Sequence, residues 1–290
     1  MGKRRLPFCR RNSRTLVFHR GMTWQDTQAK KAEAIVRQVG QWIQAQRNHF
    51  QPSDIETKSL NALVSYVDRE AEEQLIKGLQ TLLPGSGVLG EEGGAQWVED
   101  GYNWIIDPLD GTTNFMHDLP PYAVSVALME GVDLIWAAVY ELGQSNLYTA
   151  IRGKGAWLDD QRLDILQGPI MEDSLVATGF PYYDFEALSS YLDVLQSCFK
   201  GSRGVRRFGS AATDLSWVAE GRFQAFFEHG LAPWDVAAGI LLVREAGGEV
   251  TTFHQKAEND FQLIHARQIV AGNPSAQATL YSWTQNAFTT

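Results

Sequence analysis

Apolar residues first recur at helical spacing at Ile35, Val39, Trp42 and Ile43, which predicts a helix opened by Thr23 as N-cap, with Asp26 three residues on. The polar run 51–59 has no period and reads as a loop. Ala71, Leu75, Leu79 and Leu82 then share one helical face, so a second helix is predicted over 68–83, ended by Pro84-Gly85. Short apolar runs follow. Residues 88–89 and 104–106 are predicted as buried strands, 123–129 and 134–140 as a pair, and 147–151 and 156–158 as two more.

Beyond about residue 170 the pattern changes. Strands at 174–178, 223–227, 249–253 and 269–271 alternate with helices at 185–198, 211–219, 234–246 and 275–283. This alternation predicts an α/β protein whose N-terminal half is α+β in style. The expected division is a basic tail (1–21), an N-terminal half (22–168) and a C-terminal half (169–290). No repeat or low-complexity linker separates the halves, so they are expected to pack tightly.

Composition changes this picture little. The chain has 290 residues, 44% of them hydrophobic and 20% charged, as in an ordinary globular protein. Its net charge of -9 argues against general nucleic-acid binding. The first 21 residues are the exception, with one lysine, six arginines and no acid. They are expected to form a disordered tail or to precede a natural start at Met22, with a targeting peptide as the other reading. The only cysteines, Cys9 and Cys198, exclude a disulfide framework and fit a reducing, cytoplasmic setting. No apolar run is long enough to span a bilayer.

Candidate chemistry begins with GSGVLG at 85–90, which matches a dinucleotide fingerprint in letters only. It follows a helix and leads into a strand, the reverse of the required context. Three acidic stretches carry more. Glu91 lies in Gly90-Glu91-Glu92-Gly93-Gly94, Asp107 and Asp110 lie in WIIDPLDGTTNF, and Asp235 opens WDVAAGILLVREAGGEV. Taken singly, these are a solvated loop, a turn and a helix N-cap or first-turn acid. Taken together, each acid stands where a strand ends or a helix begins, the edge at which α/β proteins build sites. Converging carboxylates repel unless a cation lies between them, and an all-oxygen donor set selects Mg²⁺ over Zn²⁺. A main-chain carbonyl in the Pro-Leu-Asp turn adds a further oxygen. Gly111-Thr112-Thr113 offers free N–H groups at a helix start, suited to a phosphate.

WIIDPLDGTTNFMHDLPPYAVSVAL and WDVAAGILLVREAGGEV, with LGEEGG and LVSYVDREAEE, resemble the inositol monophosphatase family of Mg²⁺-dependent, lithium-sensitive phosphatases over residues 25–285. The resemblance implies a layered αβαβα sandwich of the sugar-phosphatase type, usually a homodimer. It makes Glu91, Asp107, Asp110, Asp235 and the Leu109 carbonyl the metal ligands. Asp68 and Thr112 would orient the attacking water and, with Glu91, form the catalytic set. Gly111 and Thr112 would bind phosphate through their N–H groups, Glu228 would hold a substrate hydroxyl, and Gly209-Ser210-Ala211 would wall the substrate side. Lys58 matches a lysine near the site. Thr113-Asn114 replaces the Lys-Glu of relatives that act on 3′-phosphoadenosine compounds, which favours hydrolysis of inositol monophosphate or a similar polyol or sugar phosphate. The alternatives are a fructose-1,6-bisphosphatase or histidinol-phosphatase activity, or a regulatory binding protein on the same fold.

Overall fold

A computed structural model describes residues 24–288 apart from 52, 54, 55, 60, 61, 183 and 184. The basic tail, Thr23 and the Lys58 side chain lie outside the described residues.

Helix α1 (Asp26–Arg47) starts from Gln25, whose backbone N–H donates to the Gln28 side chain at 3.0 Å. Of the predicted stripe, Val39 and Ile43 are buried and Ile35 and Trp42 only partly so, and Val36, which lies outside it, completes the buried face. Helix α2 (Tyr66–Leu82) begins two residues before the predicted start. Ser65 is its N-cap and Asp68 its third residue, reaching back to the Ser65 N–H at 2.8 Å. The predicted loop at 51–59 needs correction, because strand β1 (Glu56–Ser59) pairs antiparallel with β2 (Ala62–Val64). β1 holds no apolar residue, so there is no hydrophobic period to read in it.

Eight strands then form one sheet: β3 (Gly87–Gly90), β4 (Ala95–Gln96), β5 (Tyr102–Asp110), β6 (Ala123–Glu130), β7 (Asp133–Glu141), β8 (Asn146–Ile151), β9 (Gly155–Leu158) and β10 (Gln161–Leu163). Their spatial order is β10-β9-β8-β7-β6-β5-β3-β4, antiparallel except for the β3/β5 pair. Helix α3 (Thr112–Met116) follows β5.

A second sheet has the order β12-β11-β13-β15-β14. It comprises β11 (Leu175–Thr178), β12 (Gly204–Arg206), β13 (Ala225–His229), β14 (Glu249–Thr251) and β15 (Gln268–Gly272). Between these strands run α4 (Leu188–Gly201), α5 (Ala211–Glu220), α6 (Pro233–Glu245) and α7 (Asp260–Ile264), and α8 (Pro274–Ala287) ends the fold. Strands β4, β10 and β12 and helix α7 are too short to show a period, and hydropathy does not predict them. Helix α4 begins three residues later than its pattern suggests, leaving Phe185 exposed.

The layers follow from what each face buries. α1 and α2 cover one face of the eight-stranded sheet, and α5 and α6 cover the other. The five-stranded sheet packs on that helical pair, with α4 and α8 beyond it. The result is the αβαβα sandwich. Three apolar clusters fill the spaces between layers, the largest centred on α5 and α6. Helix α6 is buried almost all round, as a helix between two sheets must be. Among the described residues no helix is long and apolar enough to cross a membrane.

Candidate active site

The site grows out of the end of β5. In a regular strand, residues three apart point to opposite faces. Here the ladder pairs Asp107 with Ser125 and next Asp110 with Ala123, so β5 carries one residue more than β6 across this step. Pro108 lies within it and has no N–H to give the ladder. This bulge turns both carboxylates to the same side. Asp235 joins them from the first turn of α6, and carboxylate oxygens of Asp107, Asp110 and Asp235 lie within 4.8 Å of one another.

Each carboxylate is also held from behind. Asp107 Oδ1 accepts the Leu109 N–H at 3.0 Å. Asp110 Oδ2 accepts the Ser210 hydroxyl and the Ala212 N–H, each at 2.7 Å, at the start of α5. Asp235 Oδ2 accepts the Ala232 N–H at 2.7 Å. Asp235 is thus an acid of the first turn of α6, three residues after the N-cap Ala232, as one of the two readings of its sequence expects.

Asp68 and Thr112 meet although 44 residues apart. The Thr112 hydroxyl lies 2.9 Å from Asp68 Oδ1 and 2.9 Å from the Leu109 carbonyl oxygen, so its single proton serves one at a time. Asp68 Oδ2 accepts from the Ser65 hydroxyl at 2.6 Å and from its N–H at 2.8 Å. Gly111 is the N-cap of α3 with φ 89°, a left-handed conformation that favours glycine.

A cavity of about 640 Å³ opens over these groups. Glu91, Asp110, Gly111, Thr112, Ser210, Glu228 and Asp235 line it, together with Gly209 and Ala211. The buried Asp107 and Asp68 lie behind the wall, and Glu91 faces the cavity without joining the 4.8 Å cluster. Glu228 reaches the cavity because residue 179 is glycine; a Cβ there would lie 1.8 Å from Glu228 Oε1.

Three further lining residues, Arg207, Phe180 and Tyr182, carry no signal in the sequence that marks them as part of a site. The Arg207 guanidinium lies 5.8 Å from the Phe180 ring centroid and 5.3 Å from that of Tyr182. Arg207 follows Arg206 and lies four residues after Arg203, so its sequence reads as a solvated basic stretch.

The electrostatics are those of crowded acids. Burial pushes the Asp107 carboxyl well above the usual range, and the charges of Glu91, Asp110 and Asp235 add to this. Burial raises Asp110 to about 6 against the pull of Ser210, Ala212 and Arg207. Asp235 is pushed well up by burial and then by Asp110. Burial raises Glu228 to about 8, and Arg207 opposes this. Burial also raises Asp68, against its hydrogen bonds from Ser65 and Thr112. A cluster of three carboxylates, with no nitrogen or sulfur donor in it, fits a hard divalent cation.

Fold and site together define a five-layer α/β protein with an acidic pocket able to take a metal ion at the end of a bulged strand. Residues 24–287 match the model of the inositol monophosphatase family, and the chain belongs to that family. It is 44% identical over 211 residues to the inositol-1-monophosphatase of Rhizobium meliloti, covering 72% of this chain and 78% of the relative. It is 40% identical over 245 residues to a putative Nus factor SuhB of Neisseria meningitidis, covering 84% of this chain and 92% of that one. The crystal structure of the extragenic suppressor protein suhB from Bartonella henselae superposes with a TM-score of 0.78 at 35% identity, covering 87% of this chain and 96% of that chain.

Proposed function

We infer that the protein is a Mg²⁺-dependent phosphomonoesterase acting on inositol monophosphate or a similar polyol or sugar phosphate. The observation that carries this reading is the convergence of Asp107, Asp110 and Asp235 beside the Asp68–Thr112 pair. In this reading Asp107, Asp110, Asp235, Glu91 and the Leu109 carbonyl hold the metal. The Leu109 oxygen keeps a lone pair beside its Thr112 contact. Bound Mg²⁺ would supply charge neutralisation at the phosphate and a lowered pKa for attacking water.

The remaining work falls to the chain itself. Thr112 donates to Asp68 Oδ1, so its own oxygen is free to accept from a water and to aim it. The proton that water loses has a path through the Thr112 hydroxyl to Asp68. The N–H groups of Gly111 and Thr112 take phosphate oxygens, and Ser210, by holding Asp110, fixes the wall across from them. Glu228 and Arg207 read the alcohol part, one as an acceptor for hydroxyl protons and the other as a donor to hydroxyl oxygens. Mg²⁺ as the ion, lithium as an inhibitor and a homodimer as the assembly all rest on family resemblance.

A turnover panel tests the reading. Inositol monophosphates, sugar monophosphates, fructose 1,6-bisphosphate and histidinol phosphate are each supplied with Mg²⁺ and with EDTA. Mg²⁺-dependent release of phosphate, fastest from a polyol monophosphate, is expected. The second reading, a regulatory binding protein, is favoured by the name Nus factor on a relative. Absence of turnover on every ester would favour it.

Arg207→Met tests the specificity wall. Methionine keeps contact with Phe180 and Tyr182 but donates nothing. The expected result is a KM raised about tenfold, the worth of one hydrogen bond to a charged group, with kcat nearly unchanged. An unchanged KM would remove Arg207 from the substrate wall.

A further inference from the structure

One buried carboxylate next to the site has no part in the reading above. Glu72 follows Asp68 by four residues on α2, so both face the same side of the helix, about 6 Å apart along its axis. Glu72 is only 4% exposed. Its Oε2 accepts the Glu92 N–H at 2.9 Å and its Oε1 accepts the Gly94 N–H at 3.0 Å. Among the described residues no cation pairs with it at ion-pair distance.

The segment it grips carries Glu91. Residues 90–94, Gly-Glu-Glu-Gly-Gly, include no apolar side chain that could anchor them in a core. Backbone hydrogen bonds help to hold them in place. The Gly90 N–H donates to the Gly94 carbonyl at 2.6 Å and the Glu91 N–H to that of Ile106 at 3.3 Å. Glu72 accepts from two more amides of the segment. The close approach requires glycine, since a Cβ on Gly90 would lie 2.3 Å from Glu72 Oε2, and one on Gly94 would lie 2.7 Å from Ile76 Cδ1. Burying a carboxylate carries a desolvation cost, and charge-assisted bonds to amides offset it while fixing geometry more tightly than neutral acceptors would.

We propose that Glu72 is a positioning residue which, by holding the amides of Glu92 and Gly94, sets the Glu91 carboxylate against the Asp107–Asp110–Asp235 cluster and thereby sets the affinity of the site for its divalent cation. Helix α2 then acts as a rigid spacer. Its Asp68 holds Thr112 on one side of the site, and Glu72 holds the Glu91 turn on the other. The proposal rests on the reading of Glu91 as a metal ligand.

Glu72→Gln is the informative change. It keeps the shape but turns an amide donor toward an N–H that needs an acceptor. Leu79→Ala, in the buried face of the same helix and away from the site, controls for general loosening. The readouts are the midpoint of the Mg²⁺-dependent rise in melting temperature, and kcat at saturating Mg²⁺. For Glu72→Gln a midpoint raised about tenfold is expected, in the range found when groups that support metal ligands are removed, with kcat within about threefold of wild type. Leu79→Ala is expected to lower the melting temperature and leave the midpoint in place. Glu91→Gln should give a larger midpoint shift in the same direction. An unchanged midpoint in Glu72→Gln, or an equal rise in Leu79→Ala, overturns the proposal. If Glu72→Gln does not fold, Glu72→Asp takes its place, because it draws both acceptors back by one methylene. A raised midpoint then supports the proposal and an unchanged one overturns it. A wild-type protein that gains nothing from Mg²⁺ would instead defeat the metal reading itself.

Discussion

Asp107→Asn is expected to abolish nearly all turnover, by about a thousandfold, the upper range for loss of one preorganised electrostatic group, while leaving the fold intact. The two halves of this expectation have separate causes. The Asp107 oxygen that accepts the Leu109 N–H survives as the amide oxygen of asparagine, so the β5 turn keeps its bond. The negative charge is lost, and with it the repulsion from Glu91, Asp110 and Asp235 that helps push this carboxyl well up. In EDTA the variant should therefore melt at or above the wild-type temperature, and its response to Mg²⁺ should largely vanish. Thermal melts and phosphate release measured on the same preparation check both halves. A folded variant with near-normal activity would show that Asp107 is a turn residue and no more.

Mg²⁺ is expected to stabilise the wild-type protein by about 2.7 kcal/mol at a hundredfold excess over its Kd, or roughly 5–10 °C in melting temperature for a chain of this size. The effect should depend on pH with a definite sign. Asp110 is raised to about 6 and Glu228 to about 8. With a raised carboxyl, the folded state holds its proton after the unfolded chain has released its own. Stability from these groups is thus fully present below about pH 4. It is lost as pH rises through about 6 for Asp110 and about 8 for Glu228. In EDTA the melting temperature should fall across this window. Mg²⁺ replaces the protons, so its stabilising increment should grow over the same range, and phosphate added with Mg²⁺ should raise it further. Melts at several pH values with EDTA, Mg²⁺, and Mg²⁺ plus phosphate are the measurement. Equal melting temperatures in EDTA and in millimolar Mg²⁺ would return these acids to the role of ordinary caps.

Much of this protein is written in local pattern. The stripes of α1 and α2, the β6/β7 pair and the alternation after residue 170 are period and turn chemistry, which act over a few residues and can be read without neighbours. The same is true of the placing of Glu91, Asp107, Asp110 and Asp235 at the edges of elements, and of the motifs that resemble one family. Strand β1 escapes such a reading because a paired strand of polar residues is stabilised by backbone bonds to β2, which leave no trace in hydropathy. Arg207 escapes it because it follows Arg206 in a basic stretch, and only the fold sets it against Phe180 and Tyr182 at the cavity wall.

The convergence itself belongs to the tertiary structure. That Asp107 and Asp110 point the same way depends on a one-residue bulge in the pairing of β5 with β6, a relation between strands that neither strand states alone. Asp235 reaches them only because α6 is buried between the two sheets, which places its N-terminus beside the end of β5. The start of α5 supplies the bonds that hold Asp110. By itself the sequence determined which groups are acids and that each sits at the end of an element. Only packing decided that their charges share one space, because the distance between residues far apart in the chain is set by the layers that bury them.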